Sequence, residues 1–83
     1  MITKKITVDK NGDVEASLAA MIVQIAEKFG STIYCEFDGK RVNAKSIMGM
    51  MTLALGKGDE IQVSADGSDE SDVIEALEIF LSE

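Results

Sequence analysis

Ser46 precedes Ile47-Met48-Gly49-Met50-Met51-Thr52-Leu53, so a hydroxyl stands where the N-cap of a short apolar helix belongs. There it can accept from the unpaired amides of the first turn. A phosphate on it would meet those amides and the positive end of the helix dipole, with Lys45 adjacent. From position alone, a plain capping serine is the simpler reading. The single cysteine, Cys35, alternates with Ile33 and Phe37 and so belongs to the inward side of a strand, as a buried structural thiol. Glu15, near the start of the first helix, reads as a solvated acid that suits the dipole. Histidine is absent. That removes imidazole catalysis, histidine metal sites and phosphohistidine chemistry together. Four large apolar residues in five (Ile47, Met48, Met50 and Met51) cannot all face inward on a short helix. With Ala20 and Met21 of the first helix, the surplus should form an adaptable, partly exposed docking surface, leaving Met50 and Leu53 for the core.

The elements that must position these groups are legible in the spacing. Ile2, Lys4, Ile6 and Val8 alternate with Thr3, Lys5 and Thr7 as a strand. Asp9 to Asp13 is loop chemistry around Asn11-Gly12. The period then becomes helical from Ala16 to Phe29, with Ala19, Ile22, Ala26 and Phe29 on one face and Gly30 as the expected C′ residue. A second strand over Ile33, Cys35 and Phe37 turns at Asp38-Gly39 into a third, Lys40 to Asn43. After the Ser46 helix, Gly56 and Gly58 bracket the exit, and Ile61, Val63 and Ala65 mark a fourth strand. Ser68 or Asp69 caps a last helix whose apolar face is Val73, Ile74, Leu77, Phe80 and Leu81. The order is β-α-β-β-α-β-α. It implies an α+β, two-layer sandwich with helices on one sheet face and water on the other.

The chain has 83 residues, 46% of them hydrophobic and 28% charged, the composition of one ordinary globular domain over residues 1–83. Residues 1–65 hold eight acids and eight bases, so the net charge of −7 comes entirely from seven acids between Asp66 and Glu83. With no basic stripe to compensate, direct nucleic acid binding is not expected. The uncharged run from Ala16 to Ala26 is too short to cross a bilayer, and no signal-peptide pattern opens the chain. A cytoplasmic protein without membrane insertion, internal disulfide, metal or cofactor is the expectation.

Asp38-Gly39-Lys40-Arg41-Val42-Asn43-Ala44-Lys45-Ser46-Ile47-Met48-Gly49-Met50 resembles the regulatory-serine segment of HPr, the phosphocarrier of the sugar phosphotransferase system. In low-GC Gram-positive bacteria that segment reads D-G-K-x-V-N-A-K-S-I-M-G. Ala19-Ala20-Met21-Ile22-Val23-Gln24 is similar to the body of the family's first helix, and the element order is the same. The resemblance implies an open-faced β-sandwich with an antiparallel sheet in strand order 1-4-2-3. It also implies a regulatory phosphorylation site at Ser46. The family's active-site segment, G-L-H-A-R-P-A, aligns with Asp13-Val14-Glu15-Ala16-Ser17-Leu18-Ala19. Glu15 therefore stands at the phosphorylated histidine, Ser17 at the phosphate-pairing arginine and Leu18 at the proline. A carboxylate could form only an acyl phosphate, and position 17 offers no cation to hold one.

This combination is similar to the histidine-lacking catabolite-repression HPr-like proteins, in which glutamine replaces the histidine but the arginine and proline remain. The resemblance implies a regulatory protein and no enzyme, phosphorylated on Ser46 by an HPr kinase/phosphorylase. It would then bind a transcriptional regulator such as catabolite control protein A through Ala20, Met21, Ile47, Met48 and Met51. The chain itself would be a monomer or weak homodimer. Two alternatives stay open. One is a phosphate-independent binding module, in which Glu15 permanently imitates a phosphorylated histidine. The other is an HPr phosphocarrier whose active histidine was altered.

Overall fold

The computed structural model describes residues 1–9 and 15–82, with side chains in the first helix from Leu18 onward. Its order is β1 (Ile2–Thr7), α1 (Glu15–Ala26), β2 (Thr32–Phe37), β3 (Lys40–Asn43), α2 (Ile47–Thr52), β4 (Glu60–Asp66) and α3 (Glu70–Leu81). The four strands form one antiparallel sheet in the order β1-β4-β2-β3. The hairpin joining β2 to β3 turns at Asp38 and Gly39, both with positive φ (53° and 79°). Two successive left-handed residues match the right-handed twist of the strands they connect.

Register sets which face is buried. One inward row runs Lys4, Val63, Cys35, Val42 across the four strands, and another runs Ile2, Ala65, Ile33. Helices α1 and α3 lie over these rows. Ile22, Leu77 and Leu81 pack with Ile33, Ile61 and Val63 in the centre of the core. Burying such side chains is worth roughly 1.5–3 kcal/mol each. Lys4, in phase with Ile2 and Ile6, reaches sideways to Glu78 of α3 at 2.6 Å, and both ends of that pair stay wet. Thr3, Lys5, Thr7 and Thr32 face water on the other side, with Tyr34 and Glu36 half-buried among them.

Two local expectations need correction, at the end of α1 and at the cap of α3. α1 ends at Ala26, and the next amides fold back tightly, Lys28 to the Ile25 carbonyl and Phe29 to that of Ala26. Gly30 is not a left-handed C′ residue; its N–H donates instead to Asp69 Oδ2 (2.9 Å). Asp69 occupies the N-cap position of α3 but makes no side-chain bond to its own helix. At the exit of α2, the left-handed residues are Ala54 (φ 50°) and Gly58 (φ 97°), while Gly56 is fixed by its N–H to Asp59 Oδ2 (2.9 Å).

Candidate functional site

Ser46 is exposed, with the extended backbone of an N-cap (φ −101°, ψ 112°), and its Oγ accepts from the Gly49 amide at 3.2 Å. The turn that delivers it is built by Asn43. Asn43 Oδ1 accepts from the Lys45 amide (2.8 Å), and the Asn43 carbonyl accepts from that of Ser46 (3.0 Å). The Ala44 amide ties the same turn to the Ile33 carbonyl of β2 (2.9 Å). Met50, only 1% exposed, and Leu53 then pin α2 to the core. The hydroxyl therefore sits on a fixed frame with one face in water.

Lys45 differs from its sequence-based role. Its Nζ donates to the Phe29 carbonyl at 2.8 Å, closing the frayed end of α1. It is half-buried there as a helix cap, so the cation next to Ser46 in sequence is engaged elsewhere.

Around Ser46 lies the apolar surplus. Met48 is 77% exposed, and Met21, Ile47 and Met51 are also large exposed apolar residues; Ala20 is half-buried between them and the core. α1 and α2 are neighbours in the fold, so these residues belong to adjoining helices. Periodicity is the cause: α2 buries only Met50 among its six residues. Ile79 of α3 is a further exposed apolar residue, off the buried stripe of its helix.

Glu15 begins α1, and Leu18 is buried in the core, where it contributes packing and no chemistry. The side chains of Glu15 and Ser17 fall outside the described residues, as does the loop around Asn11-Gly12. Cys35 is fully enclosed, and burial pushes its thiol up to about 12, well above any reactive range. On the open sheet face, a shallow hollow of about 190 Å³ is lined by Tyr34, Glu36, Arg41, Gln62 and Ser64, with Met1 at one side. There the Arg41 guanidinium stacks on the Tyr34 ring, 4.3 Å from its centre.

A second polar cluster escaped the sequence reading. The Asp69 carboxylate accepts from the Ser31 hydroxyl, the Gly30 amide (2.9 Å) and the Ser31 amide (3.1 Å). Those bonds, the Ser31 hydroxyl first, hold its pKa below the ordinary carboxylate value. Beside it, Glu70 accepts from the Gly67 amide at 3.2 Å and is likewise lowered by that bond and by the nearby amino terminus. Ser31 is 1% exposed, so this cluster is a structural latch between the turn after α1 and the start of α3.

The family model described as "PTS HPr component phosphorylation site" matches residues 2–83. The HPr-like protein Crh of Halalkalibacterium halodurans is 46% identical over 81 residues, covering 98% of this chain and 96% of the relative. A solved phosphocarrier protein HPr from Bacillus anthracis superposes with a TM-score of 0.90 at 42% identity, over 96% of this chain and 95% of that one. A crystal structure of Crh from Bacillus subtilis, described as a dimer with a swapped domain, gives 0.73 at 42% identity over 98% and 93%.

Proposed function

This chain belongs to the HPr family and is an HPr-like regulatory protein, and from that premise we propose that it is switched by phosphate on Ser46 and carries none on a histidine. The observation that carries the reading is the exposed Ser46 hydroxyl, held at a fixed cap and flanked by the exposed side chains of Ile47, Met48 and Met51. A modifying enzyme needs an accessible hydroxyl on an ordered segment, and a regulator needs an adaptable apolar surface beside it. Both needs meet on α2.

The proposed modifying enzyme is an HPr kinase/phosphorylase, which brings its own nucleotide site. The proposed reader is a transcriptional regulator such as catabolite control protein A, docking on Ala20, Met21, Ile47, Met48 and Met51. The chain acts as substrate and ligand, and no cofactor belongs to it. Loss of phosphocarrier activity follows from the sequence, which contains no histidine and has Glu15, Ser17 and Leu18 where the family's histidine, arginine and proline stand. The swapped dimer described for the Crh relative supports weak self-association here as well. Among the described residues, no helix is long and apolar enough to cross a membrane.

The test is a pair of labelling reactions. With ATP and an HPr kinase/phosphorylase, the chain should gain one phosphate that Ser46→Ala abolishes. With phosphoenolpyruvate and the phosphotransferase enzyme I, it should gain none. Phosphate from the second mixture, lost in Glu15→Gln, would instead reinstate a carrier.

A further inference from the structure

Gly49 follows Ser46 by three positions in α2, and two of its properties converge on the Ser46 hydroxyl. Its amide is the donor that Ser46 Oγ accepts. Its missing side chain also leaves the space beside that oxygen: a Cβ at position 49 would stand 3.3 Å from Ser46 Oγ and 3.3 Å from Val42 Cβ. Both approaches are closer than carbon normally takes, so each neighbour must give by a few tenths of an ångström. Val42 belongs to the inward row of β3, opposite Cys35, and its Cβ moves only with the strand. Gly49 itself is secured by the Thr52 hydroxyl, which donates to its carbonyl at 2.6 Å. The softer neighbour is the serine hydroxyl, free to rotate about χ1. A methyl at position 49 would therefore press on Oγ and displace it from its bond to the amide that holds it. Helix propensity pulls the other way, since alanine favours a helix interior over glycine.

We propose that Gly49 is a positioning residue for phosphoryl transfer to Ser46: its amide fixes the hydroxyl and its bare Cα keeps the approach to that oxygen clear. The inference rests on the reading of Ser46 as the phosphate acceptor. In the transfer, Ser46 Oγ forms a bond to the γ-phosphorus of a nucleoside triphosphate. The bond from that phosphorus to the β,γ-bridging oxygen breaks, and the nucleoside diphosphate leaves with the electron pair. The hydroxyl proton passes to a base on the kinase. Gly49 touches none of the nucleotide; it acts only through Ser46.

The two roles that glycine could have here separate in kinetics. Crowding of Oγ slows the chemical step, whereas a displaced α2 would shift Ile47, Met48 and Met51 and so weaken docking. Initial rates of phosphorylation by a purified HPr kinase with ATP, measured against chain concentration, decide between them. For Gly49→Ala the expected result is a kcat lower by about tenfold or more, with KM within about twofold of the parent. Its urea midpoint should stay close to the parent's, the gain in helix propensity offsetting the weakened cap, and three-bond couplings should show a changed Ser46 χ1. Parental kinetics overturn the inference. So does a raised KM with kcat intact, a lowered kcat with unchanged χ1, or failure of the variant to fold, since each assigns the glycine to packing against Val42. No phosphate on the parent chain overturns the Ser46 reading and this inference together, whereas equal rates on parent and variant overturn the inference alone.

Discussion

α2 and α3 both begin at a short polar residue in the cap position, Ser46 and Asp69, yet the two side chains serve different parts of the chain. Ser46 accepts from Gly49 of its own helix and stays in water. Asp69 turns away from its own helix and takes three donors from Gly30 and Ser31, 39 and 38 residues earlier. A cap that serves its own helix leaves its outer face available to another protein. A carboxylate that gathers donors from a distant turn, the buried Ser31 among them, is part of the scaffold and ties that turn to the start of α3. The acidic tail is thus more than a solvated face, because Asp69 and Glu70 hold backbone amides at its start.

The sharpest way to break this contrast is Asp69→Ala. It leaves the Gly30 amide, the Ser31 amide and the enclosed Ser31 hydroxyl without their acceptor, and should lower the urea midpoint more than Gly67→Ala, Ser46→Ala or Met48→Asp. A fall no larger than that of Ser46→Ala would erase the difference between the two starts. The same carboxylate sets an acid limb. Its pKa is lowered on folding, so its stabilisation is present above the unfolded value, about 3.8, and is lost as pH falls through the lower folded value. Stability measured from pH 5 down should therefore drop less steeply in Asp69→Asn than in the parent, with Glu70 supplying part of the residual slope.

Gly67→Ala probes the latch without touching its charge. A Cβ there would stand 2.5 Å from Ser31 Oγ and 2.8 Å from Ser31 Cα, and backbone on one side leaves little room to relax. A loss of about 1–3 kcal/mol is expected from denaturant unfolding. Ser46→Ala should cost about 1 kcal/mol, the ordinary worth of a capping hydroxyl. A loss several times larger would mean that Ser46 belongs to the scaffold after all. Met48→Asp should change stability by no more than about 0.5 kcal/mol while weakening binding to the kinase or regulator. Unfolding of that variant would place Met48 in the core and remove the docking surface from α2.

Much of this is legible in local pattern. Alternation marks the strands, Asp38-Gly39 marks the hairpin, and Ser46 before an apolar run marks the cap. The methionine surplus is legible for the same reason: a six-residue helix has too narrow an inward face for Ile47, Met48, Met50 and Met51. What stays hidden depends on contacts between distant residues. Asp69 reads as an ordinary cap because nothing in its neighbourhood announces Gly30 and Ser31. Gly30 reads as a C′ glycine because the acceptor for its amide lies at the start of α3. Lys45 reads as a partner for Ser46, but tertiary packing brings the Phe29 carbonyl to its ammonium. Gly49 carries no signal of its own, since its significance is the space between Ser46 and Val42.

The division of labour between the two helix starts is tested most directly by titrating the isotope-labelled chain with an HPr kinase/phosphorylase and mapping amide shifts. The expected map moves Ala20, Met21, Ile47, Met48 and Met51 and leaves Gly30, Ser31 and Gly67 in place. Shifts centred on Gly30 and Ser31, or on Thr3, Tyr34 and Ser64 of the open sheet face, with α2 silent, would contradict it.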